Sequence, residues 1–323
     1  MTVLKEKEQQ DLLVLVGPTA VGKTNLSLSI AEHFGCEIIS GDSMQVYRGM
    51  DIGTAKASQA EREAIPHYMI DIVDPDYPFS VADFQQRAKT LIREIHGRGK
   101  LPFIVGGTGL YIESVCYGFA FSEGGADEAY REQMRSFADT YGQDALHALL
   151  RETDPEAADR LHPNDTRRII RALEVFRLTG KPISAHLQEQ TRESPYRLCL
   201  IGLTMVRALL YKRIEDRIDQ MLAQGLADEV KRLLDAGVSR DSVAMQGLGY
   251  KEIASYLSGE VDRETAVSML KQNTRRFAKR QLSWFRRMRD IAWVDVTDSA
   301  NFCAHWQAIR DIIARKFPLK DHH

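Results

Sequence analysis

Gly17-Pro18-Thr19-Ala20-Val21-Gly22-Lys23-Thr24 is a complete phosphate-binding loop, G-x-x-x-x-G-K-[ST] without a gap. An apolar run, Leu-Leu-Val-Leu-Val at 12–16, precedes it, and Leu26, Ile30 and Phe34 follow at helical spacing. A strand, a glycine loop and a helix in that order aim backbone N–H groups at an anion, with the helix N-terminus behind them. All eight residues are therefore candidates for holding a di- or triphosphate. Lys23 adds a point charge, and the Thr24 hydroxyl is the candidate metal ligand, for Mg²⁺.

Outward from this loop, strand and helix patterns alternate, which calls for a parallel sheet with helices on both faces. Strands are expected at 12–16, 37–40, 68–73 and 101–105, and an amphipathic helix at 79–96 ahead of the last of these. From 117 to 196 only helical patterns occur, at 128–141, 143–152, 155–161 and 165–178. Asp154 before Pro155, and Asn164 or Asp165 before Thr166, are the expected N-caps. A strand pattern returns at 197–203, followed by helices at 207–222 and 227–236, a basic helix and a short strand at 292–296. The expected fold class is α/β, a P-loop parallel sheet flanked by helices with an all-helical insertion domain. Residues 1–116 and 198–323 would form the catalytic core, and 117–197 the insertion.

Composition narrows the function classes. The chain has 323 residues, 44% hydrophobic and 27% charged, the profile of a globular protein. No apolar run approaches the length of a membrane span, and the polar N-terminus does not read as a signal peptide. The four cysteines are scattered without a Cys-x-x-Cys pair, which fits a reducing cytoplasm and gives no zinc or redox motif. The nine histidines form no HxxxH or HExxH pattern. Net charge is only −2, yet 271–289 carries eight Lys/Arg and no acid, interleaved with Phe277, Trp284, Phe285 and Met288. Phe277, Gln281, Trp284 and Met288 share a helical stripe, leaving the bases largely elsewhere. Such a face is either a solvated helix or a polyanion site, and nucleic-acid phosphates fit it better than a small anion.

A nucleotide hydrolase would end a strand in an acid that holds Mg²⁺. The run at 101–105 ends instead in Gly106-Gly107-Thr108-Gly109. A hydroxyl stands where a carboxylate is expected, among glycines that either form a plain turn or let a ligand approach. The carboxylate comes after the second strand, in Ser40-Gly41-Asp42-Ser43-Met44-Gln45. At the carboxyl end of a doubly wound strand, Asp42 faces the same crevice as the loop, as general base or metal holder, unless it only caps a helix. Ser43 and Gln45 could read a base edge. Asp51, Asp71 and Asp74 read as turn or capping residues. Arg213 has Asp216 at i+3, whereas Arg217 has no acid one turn away. Arg217 reads as a clamp on a departing phosphate or as a surface arginine paired at long range.

These residues resemble bacterial tRNA dimethylallyltransferases. The resemblance spans nearly the whole chain in order. It rests on the loop, on the block from Asp42 through Tyr47, Arg48, Asp51 and Thr54 to Lys56, and on Gly106-Gly107-Thr108-Gly109-Leu110-Tyr111. His162-Pro163-Asn164-Asp165, Arg171-Ala172-Leu173-Glu174-Val175, Gly249-Tyr250-Lys251-Glu252 and Arg276-Phe277-Ala278-Lys279-Arg280-Gln281 extend it. It implies transfer of a dimethylallyl group from its diphosphate to N6 of the adenine 3′ of the tRNA anticodon. It further implies Asp42 as base, Thr108 positioning the amine, and Lys23, Thr24 and Arg217 on the diphosphate and leaving group, with Mg²⁺. Contacts to the tRNA anticodon stem-loop would come from Asp42, Ser43, Met44, Gln45 and Thr108. Arg131, Thr166, Arg167, Arg168, Ile169 and Ile170 would add contacts from the insertion, and Arg275, Arg276, Lys279 and Arg280 from the basic helix. No membrane and no obligate protein partner are implied, and the zinc module of eukaryotic relatives is missing.

Rival readings remain. A small-molecule or nucleotide kinase shares the loop, an acid and the sheet. An enzyme prenylating free adenine nucleotides shares loop and base. A phosphate-sensing RNA-binding module would need no chemistry at all.

Overall fold

Leu12, Leu13, Val14, Leu15 and Val16 are all fully buried. A strand apolar on both faces must be covered by helices on both sides, and it becomes the middle of a parallel sheet. The computed structural model describes residues 9–121, 125, 127–190, 193–298 and 300–317. The polar stretch 1–8 and the terminal Asp321, His322 and His323 lie outside the described residues.

The first strand, β1 (Asp11–Val16), leads into α1 (Lys23–Phe34), β2 (Cys36–Gly41), α2 (Gln59–Ala64), β3 (His67–Tyr68), α3 (Val81–Gly97), β4 (Leu101–Gly106) and α4 (Gly109–Cys116). Five helices follow: α5 (Glu128–Tyr141), α6 (Gln143–Thr153), α7 (Pro155–Arg160), α8 (Thr166–Thr179) and α9 (Ile183–Glu189). The chain then forms β5 (Arg197–Thr204), α10 (Arg207–Ala223), α11 (Leu226–Asp235), α12 (Tyr250–Leu257), α13 (Arg263–Phe285), β6 (Ala292–Asp295) and α14 (Phe302–Lys316). The six strands pair in parallel, in the order β3-β2-β4-β1-β5-β6. This is the expected α/β sheet flanked by helices.

Register positions the site. Val16 pairs with Gly106 and Gly202, and Gly41 pairs with Gly106, so β1, β2 and β4 reach their carboxyl edge at one level. The loops after β1, β2 and β4 therefore leave side by side. A Cβ on Gly106 would lie 2.3 Å from the Gly41 carbonyl oxygen, so only glycine permits this approach. The strand expected over 68–73 stops at Tyr68, because Met69 and Asp71 adopt left-handed φ values of 64° and 56°. Asp71 there pairs with Lys56 and Arg62, and Asp51 also pairs with Lys56, so neither is a simple turn residue.

The described residues form two compact units, Met1–Gly118 with Ser194–His323, and Phe119–Glu193. Arg197, at the end of the expected insertion, is the first residue of β5. The smaller unit is helical, with Met134, Leu146, Leu150, Ile169, Ile170 and Leu173 in its core. Asp154 caps α7 through the Ala157 N–H and also accepts the Ser184 N–H, both at 2.9 Å. Asp165 occupies the N-cap position of α8, but its side chain makes no capping bond. Glu174 is fully buried and accepts hydrogen bonds from the Asp127 N–H, Arg131 and Arg171 at 2.6–3.0 Å. Burial pushes its carboxyl up, but the bonds from Arg131, Arg171 and the Asp127 N–H outweigh this and hold it below the usual range.

Two outcomes follow from these contacts. Gly106→Ala forces β2 and β4 apart and should cost about 3 kcal/mol in denaturant unfolding; a loss under about 0.5 kcal/mol would contradict the contact. Because the Glu174 pKa is depressed on folding, its stabilisation is complete above the unfolded value near 4.3 and disappears as pH falls through the lower folded value. The acid-induced loss of stability should therefore be smaller in Glu174→Gln, whose baseline stability is lower by about 2 kcal/mol, the two arginines being partly solvated.

Candidate active site

The cradle begins at α1. Gly22 occupies its N-cap at φ 104°, with no side-chain cap and no acid in the first turn. Among the described residues no side chain caps the first turn, and Lys23, Thr24 and Asn25 of that turn line a cavity of about 770 Å³ together with Thr19, Ala20 and Gly22. Gly17, Pro18 and Val21, also expected to hold the anion, do not line it. Gly17 packs against the Leu203 backbone, Val21 is buried, and the Gly17 and Pro18 carbonyls each accept a hydrogen bond from Lys23 Nζ at 2.9 Å. These three residues shape the loop and aim its lysine.

Asp42 follows β2 into the same cavity. Its Oδ1 accepts the Met44 N–H at 2.8 Å, closing its own turn, while Oδ2 has no hydrogen-bond partner among the described residues. Across from it, Thr108 Oγ1 accepts the Ser43 N–H at 2.9 Å and lies 3.2 Å from Ser43 Oγ, and the Thr108 N–H donates to the Gly41 carbonyl at 3.1 Å. The loops after β2 and β4 are thus laced together. Met44 and Ser43 line the cavity. Gln45 lines it too, but its amide is committed: Oε1 accepts from Ser40 at 2.7 Å and Nε2 donates to the Thr54 and Ala55 carbonyls. It holds the 44–56 loop, and both its amide N–H donors are committed to that loop.

Two arginines of α10 face the loop. Arg217 lines the cavity and makes no hydrogen bond or ion pair among the described residues. Burial lowers its guanidinium from the usual range, opposed by the charge of Asp42. Lys23 is pushed down to about 7 by burial and by Arg217, again opposed by Asp42. Among the described residues no acid forms an ion pair with Arg217, and Asp42 acts on it only through its charge. Arg213 corrects the sequence pairing. Asp216 bonds Lys212 at 2.7 Å instead, and Arg213 points at the Val21 carbonyl on the cavity wall. Lys23, Arg213, Arg217, Lys251 and Arg280 line the cavity against the carboxylates of Asp42 and Asp216, a cationic excess suited to a polyanion. For Mg²⁺ the available donors are hard oxygens, the open Thr24 hydroxyl and Asp42. They suit a cation that keeps waters and binds phosphate oxygens, and no cluster of three or more His, Cys, Asp or Glu exists among the described residues.

The glycines after β4 make room for the protein's own packing, and Gly106 and Gly107 also line the cavity. A Cβ on Gly107 would lie 2.3 Å from Gln281 Nε2, and one on Gly109 would lie 2.4 Å from the Trp284 ring, so α13 packs directly onto this turn. Gln281 is 6% exposed; it accepts the Thr19 N–H at 2.9 Å and donates to the Gly107 carbonyl at 3.0 Å. Its place on the apolar stripe was readable, its two partners were not. Glu229 was missed altogether: it is buried, accepts the N–H groups of Asp51, Ile52 and Gly53, and accepts the Tyr250 hydroxyl at 2.6 Å.

The basic residues divide. Arg276, Lys279 and Arg280 are exposed along α13, with Arg280 over the Phe277 ring at 5.8 Å, whereas Arg275 pairs with Glu215 at 2.6 Å. In the helical unit, Arg167 and Arg168 are exposed at the start of α8, where Thr166 is half-buried. Ile169 and Ile170 are core residues, 0% and 5% exposed, so their side chains cannot meet RNA. Arg131 is spoken for by Glu174 and Glu128.

Comparison with known proteins agrees with this geometry. The family model described as IPP transferase matches residues 45–288. The chain is 52% identical over 311 residues to the tRNA dimethylallyltransferase of Bacillus subtilis, covering 96% of this chain and 99% of that protein. It is 55% identical over 295 residues to that of Bacillus cytotoxicus, covering 91% and 93%. The crystal structure of the full-length tRNA isopentenylpyrophosphate transferase of Bacillus halodurans superposes with a TM-score of 0.73 at 51% identity, over 95% of this chain and 97% of that one. A eukaryotic dimethylallyltransferase acting on tRNA superposes at 0.81 with 30% identity, over 97% of this chain and 81% of that one. An uncapped helix N-terminus, an acid after the second strand and none after β4 thus sit in a chain that belongs to the IPP transferase family, a family of transferases.

Proposed function

We propose that the protein transfers a dimethylallyl group from dimethylallyl diphosphate to N6 of the adenine 3′ of the tRNA anticodon, releasing diphosphate. One observation carries this reading: a single cavity is lined by the α1 N-terminus with Lys23, by Arg213 and Arg217, and by Asp42 and Thr108. The anion site and the candidate base thus face each other without the strand-end acid that nucleotide hydrolysis would need.

Displacement at an allylic carbon needs a stabilised leaving group and a nucleophile held in line. The N–H groups of the first turn of α1, with Lys23, bind the diphosphate. Arg217 and Arg213 balance the charge that grows on it as the carbon–oxygen bond breaks. Thr24 would hold Mg²⁺, which supplies charge neutralisation on the phosphates when bound. A neutral aryl amine loses a proton as it attacks, and the unpartnered Oδ2 of Asp42 accepts it. Thr108, fixed against Ser43, orients the amine. The adenine must leave its stack to reach this cavity. The exposed Arg276, Lys279 and Arg280 on α13, and Arg167 and Arg168 on α8, supply phosphate contacts to the anticodon stem-loop. The reaction belongs in the cytoplasm, where tRNA is. A nucleotide kinase would use the same loop for ATP, and competition by ATP separates the two readings.

The test is transfer of labelled dimethylallyl to unmodified tRNA. Asp42→Ala should lower transfer by about 10²–10⁴-fold while diphosphate binding persists. Consumption of ATP with small acceptors, and no labelled tRNA, would defeat the assignment. A second outcome concerns Lys23: with its ammonium depressed to about 7 by burial and Arg217, an arriving anion favours the protonated form. Diphosphate binding should then take up a proton and weaken as pH rises above about 7. Calorimetry in buffers of different ionisation enthalpy reads the uptake, and Lys23→Met should abolish it.

A further inference from the structure

We propose that Gln281 is a positioning residue that couples RNA seated on α13 to the diphosphate loop, so that the two ligands bind cooperatively. The inference rests on the function proposed above and concerns how its two halves communicate. Gln281 lies on the inward face of α13, one residue from the exposed Arg280 and one turn from Phe277, which lines the cavity. Its carboxamide bonds both the phosphate loop and the turn before Thr108. Oε1 accepts the Thr19 N–H at 2.9 Å, and Nε2 donates to the Gly107 carbonyl at 3.0 Å. Only this amide orientation serves both partners, since one offers a proton and the other takes one.

The neighbours of those two bonds are the chemical groups. Thr19 precedes Ala20, which holds a left-handed φ of 63°, a conformation that persists only where its surroundings impose it. Gly107 precedes Thr108, and its missing Cβ makes the room that the Gln281 amide fills. A displacement of α13 by bound RNA therefore moves the Thr19 N–H and the Gly107 carbonyl together. By linkage, diphosphate in the loop must change RNA affinity by the same factor.

The experiment measures the dissociation constant of inorganic diphosphate, the unreactive product, with and without an unmodified anticodon stem-loop RNA. It compares the wild type with Gln281→Met, Gln281→Glu and Gly107→Ala. Methionine keeps the volume and loses both bonds; glutamate keeps the acceptor and loses the donor; the Gly107→Ala methyl pushes the amide out from the other side. In the wild type, RNA should tighten diphosphate about fivefold or more. In all three variants the factor should fall to about one, with diphosphate alone weakened up to about tenfold and RNA alone changed less than about twofold. No coupling in the wild type, coupling retained in the variants, or parallel loss of both affinities together with thermal stability overturns the proposal. Wild-type transfer is assayed beside it. If tRNA is modified and coupling is absent, only this inference fails; if tRNA is not modified, the function reading fails.

Discussion

Everything at the site depends on how closely β2 and β4 approach at Gly41 and Gly106. With no side chain between them, the two backbones sit at a separation that any Cβ would forbid, and the Thr108 N–H reaches the Gly41 carbonyl. Asp42 and Thr108 are each within two residues of that contact, so their separation is set by main-chain geometry rather than by flexible side chains. The phosphate loop leaves β1 at the same register level, beside β4. An anion cradle, a carboxylate and a hydroxyl are in this way brought to one edge by strand pairing alone, as carboxyl ends of parallel strands commonly do.

Electrostatics then divides the labour inside the cavity. Burial and mutual repulsion leave Lys23 and Arg217 poorly solvated, with Asp42 offsetting only part of that cost. Among the described residues Arg217 has no hydrogen-bonded partner and Arg213 has only a backbone carbonyl near its reach, so both are available to an anion. Elsewhere several partly buried cations are paired. Lys56 is tied to Asp51 and Asp71, Arg131 to Glu174, and Arg240 to Glu260. The desolvated Lys23 and Arg217, without an ion pair among the described residues, lie where the helix N-terminus is uncapped, which marks this cavity out by chemistry as well as by shape.

Legibility from sequence followed the range of the interaction. The phosphate loop, the acid after the second strand and the missing acid after the fourth were readable, because each is local and has a fixed offset from an apolar run. The resemblance across the Asp42 block pointed to the reaction itself. The pairing of Arg213 with Asp216 misled, since helical spacing permits both that pair and Lys212 with Asp216, and only the side-chain directions choose. Ile169 and Ile170 were grouped with Arg167 and Arg168 because they adjoin them in sequence; on a helix, one or two residues onward is a different face. The strand read over 68–73 ended early because the ion pairs of Asp71 accompany a left-handed backbone that apolar patterning does not encode.

By itself the sequence determined the α/β layering and pointed to the candidate anion cradle and the candidate acid, because apolar periodicity and glycine spacing act over a few residues. Only the tertiary structure decided which glycines serve packing and which bases stay free. It also revealed Gln281 and Glu229 as the groups that hold the phosphate loop and the 51–53 turn from 262 and up to 178 residues away. A buried polar side chain takes its role from whatever unsatisfied backbone groups it meets, and that meeting exists only after the chain has folded.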